Sequence, residues 1–276
     1  MQNPIENIAH PSAKRTATGR AAGTEPAGET ISLFGLDVVD TTIQRAAHGI
    51  VEAARAARRL QVSFLNADCV NIMHRDPAYR DVLESSDQIF ADGIGVRLAA
   101  RLAGYQLRDN VNGTDLFPVL CRHAAAAQVG IYLFGARAGR AHAAGEAMQG
   151  SNPGLIISGS HHGFIRDAAD ETRLIDAINA SGAAILLVAL GAPAQELWIA
   201  RNRHRLKPAV ILGVGGLFDY YSGSVARAPN ALRKIGMEWA WRLAMEPKRL
   251  ARRYLIGNAE FLLRLGMTSV SSTKVG

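Results

Sequence analysis

The sequence predicts an α/β protein: a Rossmann-like parallel sheet covered by helices, followed by a C-terminal amphipathic helical appendage. Three observations carry this. Short apolar, β-branched runs alternate with helical stretches from residue 31 to residue 230, the order that lays helices over a parallel sheet. Many of these runs end in asparagine, aspartate or glycine, where a strand hands over to a helix. From residue 232 the texture changes to arginine and lysine interleaved with tryptophan, leucine and phenylalanine.

Taken in order, residues 31–39 form a short apolar segment read as a strand, and Thr41 opens a helical stretch through Arg59. Residues 60–65 are a strand ending at Asn66-Ala67-Asp68, whose side chains suit the cap of a helix over 69–74. The pattern repeats at 88–91, followed by Asp92-Gly93-Ile94-Gly95 and a helix over 96–102. Further strands are expected at 129–134, 155–158, 183–190 and 209–214, with helices at 138–149, 168–180 and 194–205. In the tail, Pro247 cannot sit inside a regular helix without cost, so two amphipathic helices should meet there with Pro247 in the first turn of the second.

The chain has 276 residues, of which 48% are hydrophobic and 20% charged, enough apolar material for one substantial core or two small lobes. A net charge of +7 suits a nucleic acid, an anionic membrane or a phosphorylated substrate, so its location must decide. Cys69 and Cys121 are too few for a disulfide framework or a structural zinc site, which fits a reducing compartment. No uncharged apolar run is long enough to cross a bilayer, so membrane attachment would be peripheral. Residues 1–30 hold Lys14, Arg15 and Arg20 among Ala, Gly, Thr and Pro, without the apolar segment of a secretory signal. They read as a disordered leader before an α/β core over 31–235 and an appendage over 236–276.

Ligands of such sheets lie beyond the carboxyl ends of the strands, so the loops there hold the candidate chemistry. Asp92 follows a strand in a glycine-marked loop, where it can serve as a general base or as a helix N-cap; local spacing leaves both open. Asn112-Gly113-Thr114-Asp115 precedes a helix that Thr114 or Asp115 can cap, with free amides facing an anion or a sugar hydroxyl. Gly191-Ala192-Pro193-Ala194-Gln195-Glu196 follows the most apolar strand, so that amides, the helix dipole and the Gln195 amide can meet a diphosphate. The same segment also reads as a plain helix start with Glu196 complementing the dipole. Gly213-Val214-Gly215-Gly216-Leu217-Phe218-Asp219 brings backbone against a nucleotide, and Asp219 is either a ribose ligand or a local turn partner. His161-His162 lacks nearby Cys ligands or a helical partner and is assigned to a loop. The chain has no Gly-x-Ser-x-Gly elbow, Walker loop or His-Glu-x-x-His pair.

In order, Ala91-Asp92-Gly93-Ile94-Gly95, Asn112-Gly113-Thr114-Asp115, Gly191 to Glu196, Gly213 to Asp219, Arg227-Ala228-Pro229 and Glu238-Trp239-Ala240-Trp241-Arg242-Leu243 resemble the WecG/TagA/CpsF family of bacterial glycosyltransferases over about residues 31–265. The resemblance implies an inverting transferase on the cytoplasmic side of the bacterial inner membrane. It would use a UDP-sugar, require no cofactor, and extend a polyprenyl-diphosphate-linked saccharide in cell-surface or exopolysaccharide assembly. It makes Asp92 the catalytic base and places Gln195 near the nucleotide diphosphate; the loop readings add Asn66, Asn112, Thr114, Asp115, Gly215 and Asp219 as candidate substrate ligands. The resemblance also places Arg242, Arg249 and Arg252 over the active site. Two positions depart from the family pattern: Phe64 stands where many members have Thr, and Ala194 where they have Lys or Arg. A lost hydroxyl and a lost cation bear on sugar selection and diphosphate contact, and bring a neutral hexose such as glucose into consideration beside N-acetylmannosamine and its uronic acid.

The tail should rest on an anionic membrane surface through Trp239, Trp241 and leucines, with arginines toward the headgroups. Its rival reading is ordinary core on one face and solvated charge on the other. A basic nucleic-acid surface would use the tail but leave the loop motifs unexplained. An NAD-dependent oxidoreductase lacks its glycine fingerprint here, since Gly93-Ile94-Gly95 has no third glycine in register. The expectation is therefore no nucleic-acid partner and no metal, with the oligomeric state left open, a homo-oligomer included.

Overall fold

The computed structural model describes residues 28–272; of Lys234, Arg249 and residues 267–272 only the backbone is described. Residues 1–27, most of the expected leader, lie outside the described residues. The chain folds around one eight-stranded sheet of order β1-β2-β4-β3-β8-β7-β5-β6. Its strands are β1 (Glu29–Leu33), β2 (Leu36–Asp40), β3 (Leu60–Leu65), β4 (Gln88–Ala91), β5 (Ile131–Gly135), β6 (Ile157–His161), β7 (Ile185–Ala189) and β8 (Val210–Gly213). All neighbours pair in parallel except β1 and β2, which form an antiparallel hairpin at one edge.

That hairpin corrects the expectation of one strand over 31–39. Phe34 and Gly35 take left-handed φ of 57° and 80°, the two-residue turn whose twist matches an antiparallel pair. The uninterrupted apolar run concealed it, because both hairpin strands bury part of their length. The first strand also begins at Glu29, two residues inside the segment read as leader.

The covering helices are α1 (Ile43–Arg55), α2 (Ala67–Arg75), α3 (Pro77–Glu84), α4 (Ile94–Leu102), α5 (Gly113–Ala127), α6 (Arg140–Ser151), α7 (Ala168–Ala180) and α8 (Ala194–Asn202). Their starts follow from capping chemistry. Thr42, Asn66, Asp76, Asn112 and Asp167 each accept a hydrogen bond from a backbone N–H in the first turn. Side chains alternate across each central strand: Ile131, Leu133, Ile185 and Leu187 join α1, α5 and α6 on one face, whereas Tyr132, Phe134, Leu186 and Val188 join α7 and α8 on the other. Because both faces are covered, these strands read as continuous apolar runs.

After β8 come α9 (Leu217–Tyr221), α10 (Asn230–Lys234), α11 (Glu238–Met245), α12 (Pro247–Ala251), a π-helical turn (Arg252–Ile256) and α13 (Gly257–Ser272). Pro247 occupies the first turn of α12, as expected. The tail folds back on the core: Phe261 and Leu265 are buried in the cluster built by the hairpin, α2, α3 and α4. Phe261 lies 5.8 Å from the Phe34 ring. Part of the tail's apolar side is therefore core, as its rival reading had it. Among the described residues no helix is long and apolar enough to cross a membrane.

Candidate active site

The loops following β3, β4, β5, β7 and β8 surround a cavity of 1220 Å³, whose remaining wall is the tail. Typical small-molecule pockets hold roughly 300–1,000 Å³, so there is room for a nucleotide-sized ligand and a second substrate.

Asp92 stands at its floor. Its backbone N–H donates to the Leu65 carbonyl at 2.8 Å, fixing the loop to the neighbouring strand. Gly93, with φ of 89°, takes the N-cap position of α4 without any side-chain cap. The Asp92 carboxylate therefore does not cap α4. One carboxyl oxygen accepts from Asn66 Nδ2 at 3.3 Å. Burial pushes the Asp92 carboxyl above the ordinary aspartate value, opposed by the Asn66 hydrogen bond and the positive charges of Arg253 and Arg242.

Asn66 has two tasks. Its Oδ1 caps α2 by accepting from the amides of Asp68 and Cys69, both at 3.1 Å, which leaves Nδ2 for Asp92. Asn112, not Thr114 or Asp115, caps α5, accepting from Asp115 N at 2.8 Å. Helix α5 begins at Gly113, one residue before the expected caps, because the Asn112 side chain reaches the third amide beyond it. Thr114 lines the cavity, and its carbonyl accepts from the Tyr221 hydroxyl at 2.7 Å. Asp115 is a tie to the tail: it accepts from Arg227 and from Asn112 Nδ2 and lies 3.6 Å from Arg233.

Gln195 lines the cavity while only 4% exposed, with its side-chain amide bonded within the protein. Oε1 accepts from Gly191 N at 3.1 Å and Gly215 N at 2.8 Å, while Nε2 donates to Glu196 at 2.8 Å. The side chain fastens the loops after β7 and β8 to each other from beneath. Asp219 lines the cavity, with its Oδ1 held by Arg140 Nη1 at 2.5 Å.

From the tail, Arg242 reaches the glycine turn. An added Cβ at Gly216 would lie 2.9 Å from its Nη2, so the guanidinium packs directly on the backbone there. The guanidinium sits 5.1 Å from the centre of the Tyr220 ring. Arg252 is exposed and is absent from the cavity wall; Arg253 lines it instead, 3.0 Å from Asp68. Both residues lie in the π-helical turn. The side chain of Arg249 lies outside the described residues.

Sequence reasoning missed Arg140, Arg253 and Asn110, the last accepting from Gly93 N at 2.7 Å. Gly135-Ala136-Arg137-Ala138-Gly139-Arg140 follows β5 as the other glycine loops follow their strands, and that signal marks Arg140. His161 ends β6 instead of lying in a loop, its ring 4.3 Å from that of His162. Phe64 is 6% exposed in the cavity floor, while Ala194 is exposed and outside the lining.

A carboxylate raised toward proton transfer, under amide-rich loops and beside arginines, suits transfer of a sugar from a charged leaving group, and comparison with known proteins agrees: this is a glycosyltransferase. The chain belongs to the WecG/TagA/CpsF family of glycosyl transferases, whose model matches residues 31–274. It is similar to proteins named N-acetylglucosaminyldiphosphoundecaprenol N-acetyl-beta-D-mannosaminyltransferase. The Bacillus spizizenii protein is 36% identical over 178 residues, 64% of this chain and 68% of the relative. That of Bacillus subtilis is 34% identical over 191 residues, 69% and 73% of the two chains. A Staphylococcus aureus relative is 29% identical over 224 residues, covering 80% and 87%.

Proposed function

We propose that this glycosyltransferase moves a hexosyl group from a UDP-sugar to a polyprenyl-diphosphate-linked saccharide, with inversion, in cell-surface or exopolysaccharide assembly. The acceptor class rests on the relatives, which are named for a saccharide on undecaprenyl diphosphate. The mechanism rests on one observation above all: Asp92 is free of capping and faces the cavity with a raised pKa.

In this reading Asp92 takes the proton of the acceptor hydroxyl as its oxygen attacks the anomeric carbon. The bond from that carbon to the diphosphate oxygen breaks, and UDP leaves with the electron pair. Amides of the loops after β7 and β8, together with Arg242, stabilise the charge on the departing diphosphate. The donor is a hexose: glucose, N-acetylmannosamine or its uronic acid. Phe64 presents a ring where a threonine hydroxyl is usual, which favours a neutral hexose that needs no hydrogen bond there.

The mouth of the cavity supports work at the inner face of the bacterial inner membrane. Ile94, Leu98, Leu255 and Leu262 line it while 47%, 38%, 60% and 53% exposed. They, more than the tryptophans, form the apolar rim, because Trp241 Nε1 donates to the Ala226 carbonyl at 3.0 Å and both tryptophans are half-buried. The test is UDP release from a panel of UDP-hexoses with a short-chain polyprenyl-diphosphate-linked N-acetylglucosamine acceptor. Turnover with one donor is expected; none with any donor would reject the reading.

A further inference from the structure

Beneath the two glycine loops lies a carboxylate that the reaction above does not use. Glu196 is 1% exposed yet lines the cavity, and its Oε2 has no hydrogen-bond partner. Among the described residues no cation pairs with it. Burial holds its carboxyl above the ordinary glutamate value, partly offset by the hydrogen bond from Gln195. An uncompensated acid in such a place costs stability, so its retention calls for a physical reason.

Gln195 supplies one. Its Oε1 receives both Gly191 N and Gly215 N, the amides that open the loops after the adjacent strands β7 and β8. Both glycines are left-handed, with φ of 79° and 58°. The amide also lies tight against the end of β8: an added Cβ at Gly213 would fall 2.9 Å from Gln195 Nε2. A side-chain amide has two orientations of nearly equal shape, and the reversed one would aim NH2 at two N–H donors. Glu196 Oε1 accepts from Nε2 at 2.8 Å and makes the productive orientation the favourable one.

We propose that Glu196 is a positioning residue: it sets the Gln195 amide so that its carbonyl clips the loops after β7 and β8 at the spacing a nucleotide diphosphate needs. This rests on the reading that a UDP-sugar binds across those loops. Glu196 touches no substrate; it acts through Gln195.

The test compares Glu196→Leu with Glu196→Gln, which keeps an oxygen acceptor. Glu196→Leu should raise the KM for the UDP-sugar by about tenfold, the scale of one lost hydrogen bond, while kcat stays within about threefold. Amide hydrogen exchange at Gly191 and Gly215, followed by NMR without nucleotide, should quicken by a similar factor. Glu196→Gln should recover both quantities to within about threefold. If Glu196→Leu fails to fold, a second comparison replaces it. Gln195→Glu alone sets two carboxylates against each other and should quicken glycine exchange, whereas Gln195→Glu combined with Glu196→Gln restores the donor and acceptor pattern and should slow it again. Unchanged exchange in Glu196→Leu, Glu196→Gln as impaired as Glu196→Leu, or no restoration in the double variant would overturn the proposal. A wild-type protein that neither binds UDP nor turns over would defeat the functional reading instead, since the exchange measurement needs no nucleotide.

Discussion

Arg140, the first residue of α6, holds Asp219 of α9 at 2.5 Å and so joins the loops after β5 and β8. The two side chains are 23% and 11% exposed, buried enough for either one alone to suffer. Removing one partner strands the other charge. Asp219→Ala and Arg140→Ala should each cost about 2 kcal/mol in denaturant unfolding, below the fully buried range because water reaches the pair. The double variant should cost less than their sum, by more than about 1 kcal/mol. Strict additivity would mean that the pair carries no coupling.

For Asp92 the sign of the pKa shift yields two linked outcomes. A carboxyl raised in the folded state binds its proton more tightly there than in the unfolded chain, so its stabilising share is present at low pH and is lost as pH rises through the folded value. At neutral pH ionised Asp92 therefore burdens the fold. Asp92→Asn should melt at a higher Tm than wild type at pH 7.5 while losing about 10²–10⁴ of kcat, the scale of general-base catalysis. Calorimetry and UDP release check the two halves.

The same shift sets the acid limb of activity. The limb of kcat/KM should fall above 3.8, the ordinary aspartate value, and should move further up when Asn66 is changed to Ala, because that change removes a hydrogen bond favouring the carboxylate. A pH series from 4 to 8 in constant ionic strength decides it; a limb that stays put in Asn66→Ala would separate Asn66 from the base.

Docking of the tail depends on Phe261. It is 2% exposed, and its ring lies 3.2 Å from where a Cβ at Gly95 would fall. Phe261→Ala should cost about 3–4 kcal/mol. Gly95→Val should have the same direction by driving the tail off α4. Limited proteolysis within residues 236–265 reports the loosening, with activity falling in parallel.

Membrane contact should depend on the apolar rim. Changing Leu255, Ile256 and Leu262 together to Ser removes three side chains that are 60%, 59% and 53% exposed, leaving the buried Phe261 and Leu265 in place. Partition onto vesicles containing phosphatidylglycerol should fall at least about tenfold, with Tm little changed. Vesicle binding equal to wild type would move the contact elsewhere.

The sheet was largely legible because each central strand is an apolar run closed by a turn or capping residue, and the ends of β3, β4, β7 and β8 marked four cavity loops directly. What escaped depends on tertiary context. Asp92 reads as cap or base from local spacing, and only the fold shows that Gly93, not Asp92, holds the cap position. Arg140 and Asp219 are 79 positions apart, and no local pattern couples them. The family resemblance points to Arg252, whereas Arg253 stands at the wall. Gln195 drew attention as a polar side chain beside the expected diphosphate, whereas the fold spends its carbonyl on backbone amides.

Phe34 and Leu36 from the first hairpin share a cluster with Phe261 and Leu265 from the last helix. Between them lies nearly the whole chain. A ribosome making this protein exposes the outer surface of the hairpin, α2 and α4 until α13 emerges and supplies Phe261 and Leu265 to cover it. The wall that brings Arg242 and Arg253 to the cavity is therefore assembled last, so a nascent chain stalled before residue 261 carries the central sheet and Asp92 but an open, apolar flank.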